Sequence, residues 1–493
     1  MRDSVSIRMP RHLVNIGTIV SIVGCGVLLA ASALQADWKG DVGYTDLINA
    51  LTAKGIAVPT GSGVIVTQVE AGGSNHRPNS SNSEFTYPPL AKSFVYKTTS
   101  YTGVSDHATV VGQLFYGNSL SIAPGVGTVN VWEADDWINH SLKRGTSIAP
   151  AAESADVANF SWIGSYDNDT VDTEVLRRLD YSINRDDYVA VVGVNNGSST
   201  TLPKLLCQSY NAISVGITGG AHSHGVTTIN GAGRMKPDIV APGLYNGSVS
   251  FYNGTVYTSW ATAMVSSASA MLLETAKGSP AYSNATHSET MKAMLMAGAT
   301  KSEFTNWSNT HTSPLDSTYG AGELNVNRSY HIFTGGEQES STSQLISGSG
   351  WDFDQSAASG NEKLYFFDVP AGTTLSELSA VLTWNAIVTP SNFSLTLADL
   401  DLNLWSASDF TTLSKLNWSA STVDNVEHLY LTDLAAGRYA IGVTSNTFGV
   451  DYALAWYAVP EPGTFLMLAS CLALGLVYLG ARRVSRARSR LSG

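Results

Sequence analysis

Four residues far apart in the chain have the types that acyl transfer requires: Glu70, His107, Asn195 and Ser259. A serine hydroxyl becomes a nucleophile when a histidine takes its proton, a carboxylate fixes the imidazole's tautomer and orientation, and amide donors stabilise the tetrahedral oxyanion. Each residue also has an ordinary explanation. Ser259, beside Thr258, could cap a helix without catalysing anything. His107 could be a polar neighbour of a helix start, and Glu70 alone would read as a solvated loop acid.

The elements that must position these groups follow from local pattern. Residues 256–274 (VYTSWATAMVSSASAMLLE) space Trp260, Met264, Ala268 and Leu272 four apart, which predicts a buried helix beginning at or just after Ser259. Its first turn would bring backbone N–H groups and the positive end of the helix dipole to the serine hydroxyl. Residues 63–69 (GVIVTQV) read as a buried parallel strand that closes on Glu70-Ala-Gly-Gly, and open α/β sheets carry site residues at such strand ends. His107 opens a segment of small and β-branched residues that ends near Tyr116-Gly117. Strand-like runs at 128–132, 157–163, 188–194 and 212–217, with helical patterns at 44–54 and 171–179, predict an α/β fold. Its core would be a mainly parallel sheet with helices on both faces.

In this order the motifs resemble those of the subtilisin-like serine peptidases, over about residues 60–328. The family's acid motif falls on 66–72, its H-G-T-x-V-A-G on 107–113, its S-x-G cleft strand loosely on 161–164 and its A-G-N-x-G on 193–197. K-P-D-x-x-A-P-G is intact at 236–243, G-T-S-x-A-T-P falls on 257–263, and Y-G-x-G closes the set at 319–322. The resemblance implies a serine endopeptidase acting through an acyl-enzyme, with Ser259 as nucleophile, His107 as general base, Glu70 as orienting carboxylate and Asn195 as oxyanion donor. It further implies that Ser161, Trp162 and Gly164 border a cleft where a polypeptide substrate binds extended, by strand addition. No cofactor is required for that catalysis.

Three departures bear on activity. Glu70 stands where the family has Asp, Tyr257 where it has Gly, and Ala263 where it has Pro. The longer carboxylate must be accommodated by the backbone, and the Tyr257 ring threatens to crowd the site. Both support an alternative, a catalytically inactive peptidase scaffold acting as a surface binding protein; retention of Ser259, His107 and Asn195 opposes it. A sedolisin-type site with Glu70 as base is disfavoured, because that group has an acid where His107 stands.

Composition fits folded domains: of 493 residues, 43% are hydrophobic and 14% charged. The formal charge is −12; the N-terminal segment contributes a net +2 and the five arginines after Ala481 contribute +5, leaving about −19 between them. Nucleic acid is therefore not an expected partner. Arg2, Arg8 and Arg11, an apolar run over 14–29 and small residues before Asp37 predict a signal peptide over 1–36, cleaved after Ala33 or Ala36. Cys207 is then alone in the exported body, so no disulfide forms within it. Between the signal and residue 63 there is no room for an independent folding pro-domain.

Beyond the peptidase domain, expected over 37–330, a Gly/Ser-rich linker is expected over 331–350 and a smaller all-β, jelly-roll-like sandwich over 351–458. Short period-two runs at 363–369, 378–387, 400–404, 428–431, 438–443 and 452–459 carry that expectation. Asp399 and Asp401 could hold a structural calcium, but alternating acids equally describe a solvated strand face. His222 and His224 form only a weak zinc pattern. Residues 459–493 combine Pro-Glu-Pro, a short apolar run and an arginine cluster, and resemble a PEP-CTERM sorting tail. That resemblance implies an exosortase-type partner, a membrane-anchored C-terminus before processing, and a cell-envelope or extracellular location.

Overall fold

The computed structural model describes residues 37–460, apart from Pro89 and Thr412. The expected signal over 1–36 and the sorting tail after Pro460 lie outside the described residues.

Seven parallel strands form the main sheet: β1 (Ile65–Glu70), β2 (Ser93–Tyr96), β3 (Thr128–Glu133), β4 (Val157–Phe160), β5 (Val189–Gly193), β6 (Ile213–Ile217) and β7 (Ile239–Ala241). Their spatial order is β7-β6-β5-β4-β1-β3-β2. Nearly every residue of the central strands is buried, as both faces of the sheet are covered. Helices α1 (Tyr44–Ala53), α2 (Asp106–Tyr116), α3 (Asp169–Asp186), α4 (Thr258–Lys277), α5 (Ser288–Gly298) and α6 (Val326–Gly335) surround it. Val66, Val157 and Val191 face a core shared with α2, α4 and α5. Their neighbours Val69, Ala158 and Val192 point the other way, toward Val175, Leu179 and Ile183 of α3. Period-two alternation along each strand thus gives each face its own helices.

Helix α4 runs through the first core and is buried along almost its whole length. Its many hydroxyls are tolerated because they are satisfied. Thr262 Oγ1 donates to Thr258 O at 2.7 Å, Ser266 Oγ to Thr262 O at 2.9 Å, and Ser269 Oγ to Val265 O at 3.0 Å. Small side chains let neighbouring elements approach closely, while Trp260, Met264 and Leu272 fill the remaining volume.

The C-terminal region is a pair of four-stranded antiparallel sheets around a core that includes Tyr365, Leu378, Leu402, Ile441 and Trp456. One sheet holds β8 (Ser349–Gln355), β10 (Leu375–Thr383), β15 (Val426–Leu434) and β17 (Asp451–Pro460). The other holds β9 (Glu362–Val369), β13 (Leu400–Ala407), β14 (Leu413–Ser419) and β16 (Gly437–Ser445). A hairpin of β11 (Ile387–Thr389) and β12 (Ser394–Thr396) packs its first strand against α3.

Three expectations are corrected. The 331–350 stretch is not a free linker: α6 occupies its beginning and β8 starts at Ser349. Between them the chain is tied down by Gln338 N–H to Trp351 O at 2.8 Å and Ile346 N–H to Phe366 O at 2.7 Å. The final strand extends to Pro460, past the expected boundary at 458. The peptidase and sandwich regions also do not separate, since the described residues from Trp38 onward cluster as one compact unit. The buried helix α5 explains why, because its outer side packs on β10 and β17.

Candidate active site

Strand β1 ends on Glu70, which is buried, and α2 begins one residue before His107. Ser105 caps α2 by accepting the Ala108 N–H at 3.2 Å, which fixes the helix start and with it the base of the imidazole. His107 Nδ1 lies 2.9 Å from Glu70 Oε2, and its Nε2 lies 3.0 Å from Ser259 Oγ. The carboxylate only accepts, so Nδ1 carries the proton and Nε2 is left to accept from the serine hydroxyl. Burial acts to lower the His107 pKa, but the charge and hydrogen bond of Glu70 outweigh it and hold the imidazole above its ordinary value.

Ser259 is the second residue of α4 and is 8% exposed. The helix is not capped by a serine or threonine. Tyr257 holds the N-cap position and makes no side-chain cap bond, while Asn196 Oδ1 accepts the Thr258 N–H at 2.8 Å and the Thr258 hydroxyl at 3.1 Å. A capping role therefore does not account for Ser259. Its own N–H lies in the first turn without a backbone acceptor among the described residues, where it adds to the positive helix end.

Of the other expected residues, Ser161 contacts Ser259 directly, and no hydrogen bond joins the Asn195 side chain to the triad among the described residues. Ser161 follows the end of β4 directly; its Oγ lies 2.9 Å from both Ser259 O and Asn159 Oδ1, and its carbonyl is 3.3 Å from Ser259 Oγ. The strand expected over 157–163 stops at Phe160, and the backbone groups of Trp162 and Ile163 have no hydrogen-bond partner among the described residues. Gly164 O accepts from Leu205 N–H at 3.0 Å. A pocket of about 610 Å³ opens here, lined by Ile163, Gly164, Asn195, Leu202 and Lys204 among others. Asn195 is exposed at its rim, anchored through its backbone N–H to Ser223 Oγ at 2.9 Å.

Tyr257 does not obstruct this arrangement. Its φ of −133° is ordinary for any residue, so glycine is not required there. Its ring packs 5.7 Å from Trp260 and 6.3 Å from Tyr252, and Trp260 in turn lies 5.2 Å from the His107 ring. The result is an aromatic wall on one side of the histidine. Ala263 is simply buried within α4.

Three residues at the site were missed in the sequence. Gln68 and Tyr116 contact the carboxylate side, and Asn196 caps α4. Gln68 left a trace, since it is a polar residue inside an apolar strand, two positions before Glu70 and hence on the same face. Asn196 was hidden by its neighbour Asn195.

The weaker metal candidates find no third His, Cys, Asp or Glu among the described residues. His222 accepts the Ile217 N–H at Nδ1, 3.1 Å, and places Nε2 2.9 Å from Thr318 O; burial lowers its pKa to about 4. Both nitrogens are thus committed to the backbone. Burial, then the charge of Asp399, raises the Asp401 pKa, and no third His, Cys, Asp or Glu joins the pair to form a metal-binding group among the described residues.

A parallel sheet that delivers carboxylate, histidine and serine from strand and helix ends into one hydrogen-bonded line has the constellation of serine hydrolases. The family model for the subtilases matches residues 63–322, more than half of the chain, and the chain belongs to that family. Among solved structures, a cold-adapted subtilisin-like serine proteinase is similar at 16% identity over 55% of this chain and 89% of its own, with a TM-score of 0.34. Fervidolysin from Fervidobacterium pennivorans, a keratinolytic enzyme related to subtilisin, is similar at 13% identity over 84% of this chain and 75% of its own, with a TM-score of 0.37. No curated protein matches the chain.

Proposed function

We propose that this subtilase is an active serine endopeptidase that hydrolyses polypeptides through an acyl-enzyme. One observation carries the reading: the unbroken line from Glu70 Oε2 through His107 to Ser259 Oγ, with links of 2.9 and 3.0 Å. Peptide binds in extended form beside 161–164, pairing with the open backbone of Trp162 and Ile163, which brings its scissile carbonyl to Ser259. Ser259 Oγ attacks the carbonyl carbon as its proton passes to His107 Nε2. Glu70 stabilises the imidazolium, while the Asn195 side-chain amide and the Ser259 N–H receive the developing oxyanion. Collapse expels the amine, which takes the proton from His107, and water repeats the sequence to release the acid.

Export and sorting belong to the same proposal and rest on the sequence alone. The segment over 1–36 directs export, and 459–493 is a sorting tail read by an exosortase-type partner, with transient membrane anchoring. The test of the catalytic reading is hydrolysis of an unfolded protein such as reduced casein. Wild type is expected to cleave it, and Ser259→Ala to lose cleavage while keeping its fold. Equal cleavage by both proteins would refute the assignment.

A further inference from the structure

The glutamate at position 70 brings an extra methylene and one more rotatable bond than an aspartate, so its carboxylate needs more holding to stay against His107. We infer that Gln68 and Tyr116 form a neutral relay that supplies this holding, making Gln68 a positioning residue for the reaction proposed above, on which this inference rests.

Gln68 is fully buried on β1, on the same face as Glu70. Its Nε2 donates to Glu70 Oε1 at 2.8 Å and to Ala108 O at 2.9 Å. Its Oε1 accepts from the Tyr116 hydroxyl at 2.6 Å. Both partners of Nε2 are pure acceptors, so the orientation of the amide is fixed by chemistry. The two carboxylate oxygens of Glu70 then have separate duties: Oε1 is pinned by Gln68, and Oε2 is left for His107. Tyr116 is also fully buried, so it remains protonated and keeps its role as donor.

The relay is anchored at both ends of the helix that carries the base. Ala108 follows His107 in the first turn of α2, and Tyr116 is its last residue. One amide therefore ties β1 to α2 on either side of the carboxylate–imidazole bond and sets the spacing between strand and helix as well as the torsion of Glu70. Being neutral, it does this without a cation that would compete with imidazolium for the carboxylate.

The test is a double-mutant cycle on the full chain, read as the second-order rate of fluorophosphonate labelling across pH. Gln68→Met is expected to slow wild-type labelling roughly 10- to 100-fold and to move the acid limb of the profile to lower pH, as Glu70 no longer stays against His107. In a Glu70→Ala background the same change is expected to have no further effect. Tyr116→Phe, which removes one hydroxyl, is expected to slow labelling by a smaller factor in wild type only, and it decides the matter should Gln68→Met fail to fold. Wild-type labelling unaffected by the variants, or slowed equally with and without Glu70, would overturn the inference. Absence of labelling in wild type itself would instead overturn the proposed function and is seen before any variant is compared.

Discussion

The Asn196 carboxamide accepts the Thr258 N–H at 2.8 Å, so α4 is capped by a residue 62 positions upstream and the adjacent Ser259 hydroxyl is free to face His107. Division of labour between these side chains separates stability from chemistry. Asn196→Ala is expected to cost about 1 kcal/mol in denaturant unfolding, in the range for loss of a cap. Ser259→Ala is expected to change stability little while removing activity. A large destabilisation by Ser259→Ala would mean that its hydroxyl is structural.

The pH dependence has a definite sign. Burial depresses the His107 pKa, but the charge and hydrogen bond of Glu70 more than reverse this, so the imidazole titrates above its ordinary value. The general base must be neutral, and the acid limb of activity is therefore expected above pH ~6.5. Glu70→Gln removes the charge and is expected to move that limb downward while lowering kcat. A pH–rate profile of the two proteins checks both statements.

The α5 contact with the sandwich contains a buried acid. Burial pushes the Glu289 pKa up to about 7. The Glu289 Oε2 accepts from Asn385 Nδ2 at 2.9 Å. The native state therefore binds an extra proton relative to the unfolded chain. This contribution to stability is fully present below the unfolded value of about 4.3 and is lost as pH rises through about 7. Glu289→Gln keeps the acceptor but not the charge, so it is expected to stabilise the protein at pH 8 more than at pH 5, by an amount on the order of 1–3 kcal/mol. Thermal melts at the two pH values measure the difference.

Asn211 grips the sandwich from the peptidase side. Its Oδ1 accepts the Ala386 N–H at 2.8 Å and its Nδ2 donates to Ala386 O at 3.0 Å. Asn211→Ala would leave both buried backbone groups unpaired and is expected to cost roughly 1–3 kcal/mol. Since the two regions form one compact unit, wild type is expected to melt in a single transition. Two separate transitions in calorimetry would contradict the integral packing.

These contacts mark where sequence reading stops. The strand that ends on Glu70, the strand that leads into Asn195 and the helices carrying His107 and Ser259 were legible, because buried parallel strands and small-residue helices have strong local patterns. Glu70, His107 and Ser259 meet at the ends of these elements for the same reason. What could not be read depends on pairings far apart in the chain. The Gly/Ser-rich stretch after α6 has a linker's composition, yet it is held by Trp351 and Phe366, which lie beyond or at the far edge of it. Strands β8 and β14 went unrecognised because their polar and aromatic residues, as in SGWDFDQ and LSKLNWS, lack a clean apolar alternation. Asn196 and Gln68 acquire their roles only when α4 and α2 are packed against the sheet.

The central claim is that Ser259 is an activated nucleophile, and the most direct measurement is mass mapping of a fluorophosphonate adduct on the folded protein. The account predicts one adduct, on the peptide that contains Ser259, absent in Ser259→Ala and formed roughly 10³- to 10⁴-fold more slowly in His107→Ala. Folded wild-type protein that acquires no adduct at Ser259 between about pH 6 and pH 10, the range over which an imidazole base becomes neutral, would contradict it and favour the inactive scaffold.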